Sequence, residues 1–209
     1  MKRDPTPFSP IHKNETPFSA FLAYFGSKID RYTIDEHKIT TSSGHILTTF
    51  RINLKDKSKI PENFHSKPVL LSHGYMSSCD SFFITGDDRS LGYWFANKGY
   101  DVWVTNMRGN RYSHSHTNPD IAPADYFNYS IDDHARDIRH WYEKIIEVSG
   151  RDQILYVGYS MGCMMGAMAH SDPELKKYLD KHTTQIIFLA PYLFGSYSTD
   201  MGNFLLIKK

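Results

Sequence analysis

Few stretches restrict a fold as severely as Ile154-Leu155-Tyr156-Val157-Gly158-Tyr159-Ser160-Met161-Gly162. A run of β-forming side chains leads into Gly-x-Ser-x-Gly, and the segment from Met161 to His170 lacks proline and is rich in Ala, Met and Gly. The pattern reads as strand, sharp turn and buried helix. A serine at such a turn occupies a strained backbone that only small neighbours permit, and its hydroxyl stands clear of the sheet. Gly158 and Gly162 meet that need, since a Cβ at either place would meet the crossing strand or helix. Ser160 is the candidate nucleophile. Three fixed positions carry little information alone; the strand before them and the helix after them give the motif its weight.

At 209 residues and 40% hydrophobic, the chain suits one domain with one good core. Its 24 basic and 23 acidic residues nearly balance, which argues against nucleic acid or an anionic membrane as the main partner. Two cysteines, Cys79 and Cys163, make neither a disulfide framework nor a zinc-type spacing. Cys163, three residues after Ser160, reads as a buried structural thiol. No apolar run is long enough to span a bilayer, so no transmembrane segment is expected. Lys2 and Arg3 are followed by Pro5, Pro7 and Pro10 rather than by an apolar stretch, so the N-terminus lacks a clear signal peptide.

Residues 1–17 read as an extended arm, and Phe18 to Phe25 as an arm packed on the domain; the expected division is an N-terminal arm over 1–33 and a domain over 34–209. Lys38 to Thr41, a Ser42-Ser43-Gly44 turn, and Ile46 to Ile52 form a β-hairpin. A charged loop over Lys55 to Lys67 precedes Pro68 to Ser72, a short apolar strand of the kind buried on both faces of a parallel sheet. Asp88 to Lys98 carries Leu91, Trp94 and Phe95 at helical spacing with Gly99 as its cap, and Tyr100 to Thr105 is the next strand. Ser130-x-x-Asp133 resembles a capping box opening a helix through Val148, with Ile131, Ala135, Ile138, Tyr142 and Ile145 on one face and Gly150 at its end. After the Ser160 turn and its helix, Gln185 to Ala190 (QIIFLA) reads as a final buried strand. The class is α/β: a doubly wound, mostly parallel sheet entered through an antiparallel hairpin.

Acyl transfer needs hydrogen-bond donors aimed at the oxygen that gains charge. The backbone N–H of Met161 and, after His73-Gly74, that of Tyr75 or Met76 are placed to serve. His73 precedes the serine and reads as a structural group of this loop rather than as the base.

The order and spacing of these motifs are more specific than the serine turn alone. His73-Gly74-Tyr75, Ser90-Leu91-Gly92, Asp101 to Asn110, Tyr129 to Asp133 and Gly158 to Gly162 together resemble the acid lipase family, which includes the gastric and lysosomal acid lipases. Lys38-Ile39-Thr40-Thr41-x-x-Gly44-x-Ile46-Leu47 is similar to that family's opening hairpin, and the match covers about residues 34 to 195. The resemblance implies an α/β-hydrolase fold and attack by Ser160 on a carboxylic ester of a neutral lipid, a triacylglycerol or sterol ester, at a lipid–water interface. It also implies an oxyanion held by the N–H groups of Tyr75 and Met161, and a secreted or lysosomal location. Arg108, in Arg108-Gly109-Asn110, corresponds to a scaffold position. Tyr75 and Met161 depart from the family's usual Leu and Gln, changes that leave backbone donors intact. No cofactor is implied, because the serine supplies the covalent intermediate.

In this fold the acid and then the histidine of the triad follow the serine. Asp172, Asp180, Asp200, His170 and His182 follow Ser160, yet none falls at the end of a later strand. In the acid lipases both groups follow a lid insertion that begins after the strand corresponding to QIIFLA. QIIFLA itself has no later strand to pair its outer edge. The expectation is therefore the N-terminal part of a longer lipase whose acid and base lie outside these residues. Two alternatives are a non-catalytic hydrolase-like protein that binds lipid or a partner, and a minimal hydrolase using His170 or His182. His114 and His116 lie in a polar loop without further ligands, which argues against a metal site. Asn14 and Asn128 open glycosylation sequons that matter only in a secreted chain.

Overall fold

Alternation of side chains along each strand builds two apolar layers on one sheet. A computed structural model describes residues 15–58, 60–64, 66–86 and 89–193. The strands are β1 (Tyr32–Thr40), β2 (His45–Leu54), β3 (Pro68–Ser72), β4 (Asp101–Val104), β5 (Ser115–His116), β6 (Ile154–Tyr159) and β7 (Thr183–Leu189). Their order is β1-β2-β4-β3-β6-β7, with β5 beside β2. β1, β2 and β4 pair antiparallel, whereas β4, β3, β6 and β7 run parallel, as the α/β expectation required. Val69 and Leu71, Val102 and Val104, and Leu155 and Val157 enter one layer. Leu70, Trp103, Ile154 and Tyr156, the residues between or beside them, enter the other.

The first layer is covered by α1 (Pro17–Leu22) and α2 (Leu91–Asn97), and the second by α4 (Ile131–Ser149), α5 (Met161–Ser171) and α6 (Pro173–His182); α3 (Pro123–Tyr126) is a single turn. The Ser130–Asp133 capping box is present, with Ser130 N–H donating to Asp133 Oδ2 at 2.8 Å, and Gly150 closes α4 in the left-handed region at φ 67°. Residues 1–14 of the expected arm lie outside the described residues. From Thr16 onward the segment is built in: Thr16 caps α1, and Phe21 stacks on Phe50 with ring centroids 4.1 Å apart and meets Phe25, Phe83 and Tyr112 edge-on.

Two expectations need correction. The helix over Asp88–Lys98 is shorter among the described residues, and Trp94 points outward. The strand Gln185–Ala190 is not buried. Within β7, Ile186 and Ile187 are 39% and 36% exposed, because only one edge is paired, by β6, and no described element covers the other. Phe188 and Leu189 alone reach the two apolar layers.

Replacing Phe21 by Ala removes a ring enclosed by four aromatic neighbours. The expected loss is about 3–5 kcal/mol of unfolding free energy, measured by urea denaturation; a loss below about 1 kcal/mol would show that the segment is a loose appendage.

Candidate active site

The turn between β6 and α5 is held by contacts that leave no room for side chains. A Cβ on Gly162 would fall on the carbonyl oxygen of Ser72 and 3.0 Å from that of His73, at the end of β3. One on Gly158 would lie 2.7 Å from Cys163 N. Between them Ser160 adopts φ 52° and ψ −114°, a left-side backbone costly for a residue with a Cβ. Its N–H donates to Leu189 O at 3.0 Å, and its carbonyl accepts from Cys163 N–H at 3.0 Å. Cys163 is buried and its Sγ lies 3.2 Å from Gly158 O, a packing position.

The loop after β3 comes up against this turn. Gly74 lies so near that a Cβ there would be 3.1 Å from the Ser160 Cβ, a crowded approach that glycine relieves. Among the described residues, neither Tyr75 nor Met161 has an internal acceptor for its backbone N–H. Tyr75, Met76 and Tyr159 are exposed beside the serine.

His73 is buried beneath this loop. Its Nδ1–H donates to Gly74 O at 2.8 Å, and its Nε2 accepts from Met107 N–H at 3.2 Å and from Asn110 Nδ2 at 3.2 Å. Those partners fix a neutral ring with its proton on Nδ1. Burial pushes its pKa down to about 4, only partly offset by the bond to Gly74. Burial, reinforced by the Arg108 charge, pushes His134 down to about 3.

Arg108 is enclosed rather than open to a ligand. Its Nε and Nη2 reach the two oxygens of Asp137 at 2.9 and 2.5 Å, and its Nη1 reaches Ser43 Oγ at 3.1 Å. It thus ties α4 to the hairpin turn. The sequence reading missed Asp137 as its partner, although a charged residue on the inner face of α4 was a visible signal. Asn106 and Asn110 were also missed. Asn106 Oδ1 accepts from Cys79 N–H at 3.1 Å and from Asn110 Nδ2 at 3.0 Å, closing the far end of the loop.

The histidines that follow Ser160 in sequence are not brought to it. His170 Nδ1 pairs with Asp180 at 3.1 Å near Thr183, and His182 Nδ1 donates to Asp152 O at 2.9 Å. Thr183 pairs with Ile154, at the start of β6, whereas Ser160 follows its end, roughly 20 Å away along the strand. Asp172 caps α6, and Asp200 lies outside the described residues. His116 pairs with β2 through His45, and among the described residues no cluster of three metal-ligating side chains occurs. Asn128 is exposed beside the α4 cap; Asn14 lies outside the described residues.

The family model described as alpha/beta hydrolase fold matches residues 67–195. The chain belongs to this family. A second model, a partial alpha/beta-hydrolase lipase region, matches residues 26–86 of this α/β hydrolase. The rat lysosomal acid lipase/cholesteryl ester hydrolase is 33% identical over 169 residues, covering 78% of this chain and 41% of the relative. Human lipase member K is 33% identical over 184 residues (86% and 43%), and mouse gastric triacylglycerol lipase 31% over 166 residues (78% and 40%). These matches bear out the acid lipase resemblance. The chain spans about two-fifths of the length of these curated relatives. Among solved structures, esterase Est22 superposes with a TM-score of 0.54 at 20% identity, covering 86% of this chain and 52% of that one. The Pyrococcus furiosus esterase Pf2001 gives 0.51 at 17% (81% and 55%). At those identities they show the shared fold.

The buried histidines give this α/β hydrolase an acid-sensitive fold. Unfolded, each histidine binds a proton near pH 6.5; folded, His73 and His134 do so only near 4 and 3. Above pH 6.5 neither affects stability, but below it the unfolded state binds more protons and stability falls with pH. His73 alone is expected to remove about 2 kcal/mol between pH 7 and pH 5. Urea denaturation of His73→Asn, which cannot titrate, should show that much less pH dependence than the wild type; equal slopes would contradict a neutral His73.

Proposed function

We propose that the chain carries the nucleophile and oxyanion half of a serine-dependent carboxylic ester hydrolase acting on neutral lipid esters, triacylglycerols or sterol esters. The observation that carries the reading is the strained Ser160 backbone between two obligatory glycines, with Gly74 of the facing loop against it. Ser160 Oγ attacks the ester carbonyl carbon as a base takes its proton. The carbonyl oxygen gains the negative charge and accepts hydrogen bonds from the N–H groups of Tyr75 and Met161. Collapse returns the proton to the departing alcohol and leaves an acyl-enzyme, which water cleaves to the fatty acid. The substrate class is supported by relatives named for triacylglycerol and cholesteryl ester hydrolysis and by the exposed apolar surface of Tyr75, Met76 and Tyr159. The base and its orienting acid are assigned to sequence beyond the described residues, since the relatives are about twice as long. A non-catalytic lipid- or partner-binding protein is the second reading, favoured by the distance of His170 and His182 from Ser160.

A fluorophosphonate probe tests this on the chain as it stands. Without a base, labelling at pH 7 is expected to be slow; added imidazole, supplying one, is expected to accelerate it about tenfold or more in the wild type and not in Ser160→Ala. Equal labelling of the two chains would remove Ser160 as nucleophile. Fast labelling without imidazole would place the base within these residues.

A further inference from the structure

We propose that Asn110 is a positioning residue that, by fixing the tautomer of His73, aims the backbone N–H of Tyr75 at the oxyanion site. The proposal rests on the ester hydrolase reading for its consequence, but its geometry is independent of it. In a trans peptide the carbonyl and the following N–H point in opposite directions. The Gly74 carbonyl and the Tyr75 N–H belong to one such peptide, and His73 Nδ1–H holds that carbonyl at 2.8 Å. Whatever fixes the proton on Nδ1 therefore fixes the direction of the Tyr75 N–H.

Two donors do so from the loop after β4. Met107 N–H and Asn110 Nδ2 both approach Nε2 at 3.2 Å, and a proton on Nε2 would meet two donors head-on. The orientation of the Asn110 amide is set in turn by its own oxygen, which accepts from Tyr112 N–H at 2.9 Å and Ser113 N–H at 3.1 Å. Its Nδ2 therefore faces His73 and also Asn106 Oδ1, at 3.0 Å. Asn106 Oδ1 holds Cys79 N–H at the far end of the same loop, while its Nδ2 donates to Thr48 O at 3.1 Å on β2. The Asn110 amide thus meets one end of the 73–79 segment directly and the other through Asn106. A neutral ring is required for this arrangement, and its burial keeps it neutral.

Asn110→Asp separates this role from the turn. The carboxylate keeps an acceptor for Tyr112 and Ser113 but replaces the donor facing Nε2 with an acceptor. In the wild-type chain, ¹⁵N NMR of the His73 ring should show a proton on Nδ1 alone. In Asn110→Asp the proton should move from Nδ1 to Nε2, and the Gly74 carbonyl ¹³C and Tyr75 amide ¹⁵N resonances should shift well beyond those of β3 as their peptide turns. Should that variant fail to fold, Asn110→Ala removes the donor without adding charge, and a smaller shift of the Gly74 and Tyr75 resonances in the same direction is expected because Met107 N–H remains. Gly74 and Tyr75 resonances that stay in place in a folded variant, whether or not the His73 ring changes, would overturn the proposal. Imidazole-assisted labelling of Ser160, read separately, should fall about 100-fold in Asn110→Asp if the Tyr75 N–H serves the oxyanion. Shifted Gly74 and Tyr75 resonances with unchanged labelling would uphold the link from Asn110 to Tyr75 while removing Tyr75 from the oxyanion site.

Discussion

The constraint on which the site depends is the approach of Gly162 to the carbonyl oxygens of Ser72 and His73, which leaves no room for a Cβ. It presses the start of α5 against the end of β3, and because β3 and β6 are paired from Val69–Leu155 to Ser72–Gly158, the turn between β6 and α5 has no freedom to relax. The strain appears as the positive φ of Ser160, held on one side by Leu189 O and on the other by the helix start. The buried layers on either side of the sheet supply the stability against which that strain is maintained.

The same crossing places the loop after β3 over the serine, and a polar network sets its course. His73, Asn106 and Asn110 leave few choices of proton position, since almost every donor among them faces a single acceptor. Such a network is stiff when complete and expensive when broken. It also makes protonation of His73 incompatible with the loop as it stands, so part of the acid sensitivity and the course of the loop share one ring.

Much of this was legible in the residues. Gly-x-Ser-x-Gly after a β-forming run specified the turn, Ser130-x-x-Asp133 and Gly150 bounded α4, and the short apolar run Pro68–Ser72 identified a strand covered on both faces. Others were hidden for physical reasons. β7 is apolar throughout and so reads as buried, but burial depends on what lies alongside it, and no described element does. α6 was overlooked although Asp172-Pro173 is a cap and first-turn pair, because Leu175, Tyr178 and Leu179 are too few apolar side chains to stand out in a charged segment. The partners of Arg108 and His73, on α4 and on the loop after β4, lie distant in sequence, and no local pattern connects them.

The central claim is that the Ser160 turn and the facing loop form a ready-made oxyanion site, and a crystal structure of the protein phosphonylated on Ser160 tests it most directly. One phosphoryl oxygen is expected about 2.7–3.1 Å from the backbone nitrogens of both Tyr75 and Met161, with the Gly74 carbonyl still on His73 Nδ1. A phosphoryl oxygen turned to solvent, or a Gly74–Tyr75 peptide rotated away from it, would contradict that claim.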